Sequence, residues 1–150
     1  RGYDFPLSDV GLAWLQANSA GTTLHSDDTN FGYSSSIADP VNQSWDNFWI
    51  NTLVAQSRTF TVNSGLLPDN GTTGNTVSYA IQRMCQLSGV SPTSQTPKNR
   101  CAVSTISVPN IRNKSGELTY SRTQQTYYRI TVRVAGPRNT ASYTQTVVAI

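Results

Sequence analysis

The chain has 150 residues, enough for one domain that buries roughly 70% of the surface its unfolded form exposes. Only 13% of residues are charged and 37% are hydrophobic, with abundant Ser, Thr, Asn and Gln, a balance that suits a β-rich extracytoplasmic domain better than a helical cytosolic enzyme. The net charge of +3 is unevenly divided, because residues 1–57 carry one Arg against six Asp, and residues 58–150 carry ten Lys or Arg against Asp69 and Glu117. Such polarity either steers head-to-tail association of subunits, draws a polyanion to the basic half, or leaves two solvated faces without a partner.

The first predicted element is a helix over 7–15, where Leu7, Val10, Trp14 and Leu15 fall on one stripe that would pack on a core. Residues 19–38 are rich in Ser, Thr, Asp and Gly and read as surface loop. His25, Asp27 and Asp28 in that loop form the one cluster with metal or acid–base potential, and read better as solvated turn residues. Asp39-Pro40 offers an N-cap and a Pro at the first helical position, and Trp45, Phe48, Trp49 and Leu53 continue at helical spacing. A second helix of about four turns follows, with its large aromatics as core anchors.

Residues 58–62 alternate as a strand, and 68–74 carry turn residues. The oxygen-rich run Asp69 to Asn75 could ligate calcium, but lacks the Asp spacing and closing Glu of an EF-hand loop and reads as a plain turn. Thr76 to Met84 fits a strand or a helix, and its β-branched and aromatic content tips it to strand. Cys85 and Cys101 enclose 15 residues, including Pro92 and Pro97. With too few other ligands for a metal and no evident base for a thiol nucleophile, they predict a disulfide and an oxidising compartment.

In Tyr127 to Val134 the apolar Tyr128, Ile130, Val132 and Val134 alternate with Tyr127, Arg129, Thr131 and Arg133, the signature of a half-buried strand. Ala135 to Asn139 turns the chain, and Ala141 to Ala149 alternates along a returning partner, so a terminal antiparallel hairpin is expected. Arg129 and Arg133 lie roughly 13 Å apart along one strand face. With Tyr127 alongside and Arg138 in the turn they make a candidate contact surface, suited to phosphates flanked by a stacking aromatic, to a neighbouring subunit, or to solvent alone.

Three runs resemble the minor pilins of type IV pili, of the PilX type. Gly11-Leu-Ala-Trp14 is similar to the close of that family's long first helix, and Gly74 to Cys85 to its sheet-entering strand. Tyr128 to Thr140, with Ser142-Tyr143 and Val147-Val148 after it, resembles its terminal hairpin. The resemblance covers about a third of the chain and implies an α+β, pilin-like single domain over 1–150: an N-terminal helix packed on an antiparallel β-sheet, a second short helix and a C-terminal β-hairpin.

It also implies a membrane-anchoring helix of about 20 residues upstream of this sequence. Arg1, which is not an initiator Met, reads as a processed or engineered end. No window here approaches the roughly 18 apolar residues of a membrane span. The implied role is structural, in initiating pilus assembly at or near the tip, with other minor pilins and the major pilin as partners. The implied location is the periplasmic face of the inner membrane and the extracellular pilus. The rival readings are a pilus adhesin or DNA-binding subunit and a pseudopilin of a type II secretion system. No catalytic set, cofactor or metal site is expected, since one His, scattered carboxylates and unactivated Ser supply no pairing of nucleophile and base.

Overall fold

The computed structural model describes Asn18 and residues 23–67, 72–110 and 119–150. Its strands are β1 (Tyr33–Ser34), β2 (Phe60–Thr61), β3 (Thr76–Arg83), β4 (Val103–Asn110), β5 (Thr119–Gly136) and β6 (Thr140–Ala149). One short helix, α1, runs Trp45–Phe48 as α-helix and continues as a wider π-helical turn over Trp49–Val54. The strands form a single mixed sheet in the order β1-β3-β5-β4, with β2 added to β3 and β6 to β5. Only β1 is parallel to its neighbour.

Strand β5, 18 residues long, is the spine. Along one side its last part pairs with β3, from Arg83↔Tyr128 to Thr76↔Ala135, and its first part with β4, from Val103↔Thr126 to Asn110↔Thr119. Strands β3 and β4 therefore lie end to end as one interrupted partner. The interruption is the excursion between the cysteines, pinned at its base by the Cys85–Cys101 disulfide, whose Cα atoms are 4.0 Å apart. Met84 and Ala102 carry the ladder across the junction by bonding Tyr127.

Strand alternation fills both faces of the sheet. Tyr79 and Ile81 of β3 and Tyr128 of β5 pack with Leu24 and Tyr33, joined at the margin by Phe60, Val62, Ile130, Val132, Val148 and Ile150. On the other face Ala80 meets Phe48, Trp49 and Leu53 of α1, with Trp45 and Tyr143 at the rim. Gly32 fits where chain segments crowd: a Cβ there would stand 2.6 Å from Phe60 N and 3.0 Å from the Tyr79 carbonyl oxygen, and its φ of +59° suits glycine.

The pilin-like α+β architecture expected from the sequence is corrected. The described chain is mostly β, a six-stranded mixed sheet with the short helix α1, and no pilin-like N-terminal helix packs on the sheet among the described residues. The apolar side of β5, which an N-terminal helix was to cover, receives Leu24 from a 3-10 turn, Tyr33 from a two-residue strand and Phe60 from another. The expected helix over 7–15, with Trp14 and Leu15, lies outside the described residues, as do residues 69–71 of the run from Asp69 to Asn75.

Other expectations hold in part or whole. The aromatic helix is present, but begins later: Ser44, not Asp39, is its N-cap, its hydroxyl accepting the Asn47 N–H at 3.2 Å. Residues 76–83 form a strand, and the terminal hairpin pairs Tyr127↔Ala149 through Gly136↔Thr140. At its tip Arg138 and Asn139 take left-handed conformations, with φ of 64° and 58°.

Candidate functional site

Arg129 and Arg133 share the sheet face that α1 covers, and each is held from inside the molecule. The Arg129 guanidinium donates through Nε and Nη2 to Oε1 of buried Gln82, through Nη2 to the Ala38 carbonyl at 2.7 Å, and through Nη1 to the Asp39 carboxylate. Gln82 in turn donates to the same Ala38 carbonyl at 3.2 Å, which closes a ring of three residues. The indole of Trp45 lies against the guanidinium, 5.6 Å from centroid to Cζ.

Arg133 makes a second polar cluster with Asp46 of α1 and Tyr143 of β6. Its Nε donates to the Tyr143 hydroxyl at 2.9 Å and its Nη2 to Asp46 at 3.2 Å, while the Tyr143 hydroxyl donates to the same carboxylate at 2.7 Å. Those bonds, Tyr143 first and Arg133 second, hold the Asp46 carboxyl below its ordinary range. Burial and the bond to Asp46 push the Tyr143 phenol up. The arginine side chains keep only 11% and 20% of their surface exposed, so the candidate surface is a roofed layer rather than an open basic face.

Of the other two residues in that set, Tyr127 is half-buried at the junction of β3 and β4, and Arg138 is exposed at the hairpin tip. The structure brings Arg129 and Arg133 into one layer with α1, and leaves Arg138 beyond it.

The loop cluster at His25 does sit at the surface among turns, with Asp27 exposed and His25 and Asp28 half-buried, but it is also tied to the rest of the fold. Asp27 accepts from the Ser35 N–H at 2.8 Å and the Ser35 hydroxyl at 2.7 Å, and pairs with Arg58 at 3.0 Å. Burial alone would raise its pKa; the Ser35 bonds and the Arg58 charge outweigh it and leave the carboxyl below its ordinary value. Asp28 caps the turn Thr29–Phe31, and the His25 carbonyl accepts from Gly89 in the cysteine excursion at 2.6 Å. Burial first, and the Arg83 charge second, lower the His25 pKa.

Arg83, fully buried at the end of β3, escaped the sequence reading. It donates to the carbonyls of Ser35 at 2.8 Å and of Leu87 and Val90 at 3.3 and 2.9 Å, and Asn99 serves those last two carbonyls from the other side of the loop. Burial lowers its pKa, partly countered by Tyr33, Tyr128 and Asp27. Arg83 thus acts as the internal template for the disulfide-bounded excursion. A signal for these clusters existed in the uneven charge distribution, since each of the three ion pairs among the described residues joins an Asp before residue 57 to an Arg after it.

Among the described residues no group of three His, Cys, Asp or Glu side chains is placed to hold a metal ion, and no helix is long and apolar enough to cross a membrane. No family model matches the chain, and no curated protein or solved structure resembles it beyond chance.

Proposed function

We propose that the chain is a structural subunit rather than an enzyme, acting as a minor pilin of the PilX type in the initiation of type IV pilus assembly. The observation that carries this reading is the placement of the runs that resemble that family. Gly74 to Cys85 contains β3, Tyr128 to Thr140 contains the last half of β5, and Ser142-Tyr143 and Val147-Val148 lie in β6, so the similar residues fall on three adjoining strands. The disulfide supports an oxidising compartment such as the periplasm. Its partners on this reading are other minor pilins and the major pilin, with the inner membrane reached through a helix outside this sequence. The internal commitment of Arg129 and Arg133 weighs against the rival DNA receptor, whose affinity would need those guanidinium groups free for phosphate.

The test is deletion of the gene in its own organism, with surface pili counted by electron microscopy and restored by a plasmid copy. A marked loss of pili is the expected outcome. Normal piliation, together with tight and salt-sensitive DNA binding by the purified chain, would reverse the ranking.

A further inference from the structure

The two long edges of the sheet body are finished differently. The outer side of β3 is blunted by β1 and β2, strands of two residues each, which is a common protection against unwanted pairing. The outer side of β6 carries nothing among the described residues, and β6 is ten residues long. Its sequence, Thr140 to Ala149, holds no charge, no Pro and no Gly. The strand itself thus lacks the shortness, charge and proline that keep an edge from recruiting another, and among the described residues no further strand pairs with it, over a span of about 34 Å.

The ladder fixes what that edge presents. Thr126 and Ile150 exchange both main-chain bonds, each at 3.1 Å, and in an antiparallel pair such exchanges recur at every second residue. Val148, Thr146, Thr144 and Ser142 are therefore bonded to β5, while the N–H and C=O groups of Ala141, Tyr143, Gln145, Val147 and Ala149 point away from the sheet. Any antiparallel strand added here must place its own outward-pointing residues opposite these.

A second β6 satisfies that condition against itself. Odd-numbered residues must face odd-numbered residues, and the register with full overlap sets Gln145 opposite Gln145, Tyr143 opposite Val147 and Ala141 opposite Ala149. Tyrosine opposite valine is a favourable cross-strand pair. It covers Val147, whose side chain is otherwise among the most exposed large apolar groups, at 51%. On the other face Thr144 meets Thr146 and Ser142 meets Val148. No like charges are opposed, Arg129 and Arg133 lie one strand inward and paired with Asp39 and Asp46, and Arg138 falls beyond the overlap.

We propose that the free edge of β6 is a self-association surface, on which a second copy of this chain pairs β6 to β6, antiparallel, about a twofold axis through Gln145. The two sheets then become one continuous sheet, with both copies of α1 on the same side.

Sedimentation velocity of the purified chain, from micromolar to submillimolar concentration, tests this. A dimer is expected, and Gln145→Pro removes the N–H at the axis in both copies without touching a main-chain bond to β5, giving up only the side-chain bond from Gln145 Nε2 to the Thr131 hydroxyl at 3.1 Å. Two lost bonds of about 1 kcal/mol each raise the dimer dissociation constant about thirtyfold. Val147→Lys, on an exposed side chain, gives a second weakened dimer should the proline variant fail to fold. Under oxidation Gln145→Cys crosslinks copy to copy, whereas Ser142→Cys, with its two copies about 20 Å apart in this register, does not. A monomer at every concentration, a dimer indifferent to both edge variants, or equal crosslinking at the two positions overturns the proposal, as does a monomer that captures a strand of unrelated sequence.

Discussion

Replacing Arg129 by Met tests whether this residue is an internal tie or a surface contact. The methionine stem keeps the packing beside Trp45 and removes every donor. The Gln82 side-chain oxygen, in a residue only 1% exposed, then loses both bonds that Arg129 makes to it, a loss worth about 1–3 kcal/mol. The Ala38 carbonyl retains Gln82 as a donor and adds little. The pair with Asp39, whose carboxylate side chain is 57% exposed, contributes at most about 1 kcal/mol. A total of about 1–4 kcal/mol corresponds to a Tm lowered by about 2–16 °C in a domain of this size. Urea unfolding should show a lower midpoint with an unchanged slope. Arg138→Ala at the exposed hairpin tip should stay within about 0.5 kcal/mol of the parent. The double variant Arg129→Met with Gln82→Leu should recover part of the loss, because both ends of the buried interaction are then apolar. If Arg129→Met unfolds like Arg138→Ala, the arginine is not holding the fold and the contact-surface reading returns.

Trp49→Ala should cost about 3–5 kcal/mol in the same assay, since this buried indole seats α1 on the sheet; Ile50→Ala, at a half-exposed position beside it, should cost far less, and equal losses would contradict the placement of the helix. Stability should also fall with acid. His25, Asp27 and Asp46 all have folded-state pKa values below their ordinary ones, so each contributes stability that is present above its unfolded pKa and lost as pH falls through the folded one. Loss should begin below about 6.5, the ordinary value of His25, and deepen below the 3.8 of the two aspartates. Thermal melts across that range check this, and His25→Asn should remove the first phase; a melting temperature that rises on acidification to pH 5 would refute the sign.

The parts legible in the sequence were those fixed by short-range periodicity. The alternation in Tyr127 to Val134 and its return in Ala141 to Ala149 placed the terminal hairpin, and the spacing of Trp45, Phe48, Trp49 and Leu53 placed α1. The start of α1 was misplaced because Asp39 looks like a cap locally, yet its carboxylate is drawn to Arg129, 90 residues away, leaving Ser44 to cap. The first part of β5, Thr119 to Thr126, and its partner β4 were missed: Pro109 and the run of Ser, Thr and Gln mask any two-residue apolar period. The fold class failed for a related reason. Alternation distinguishes two faces of a strand but does not say that both are covered, and Thr131, on the nominally polar face, is 1% exposed beneath the helix layer.

The charge imbalance along the chain has the same long-range origin, and it bears on how this domain meets a partner. Asp27, Asp39 and Asp46 meet Arg58, Arg129 and Arg133, so much of the polarity that looked like a device for steering subunits together is spent in joining the first third of the chain to the sheet. What remains uncommitted among the described residues at the edge of β6 is main chain, flanked by uncharged side chains. Association through that edge is driven by backbone bonds, to which screening matters little. Its dissociation constant should therefore stay nearly level between low and moderate salt, where a contact made by free arginines would weaken steadily. A steep salt dependence of self-association would place the contact on the charged groups instead, and would remove the edge of β6 as its cause.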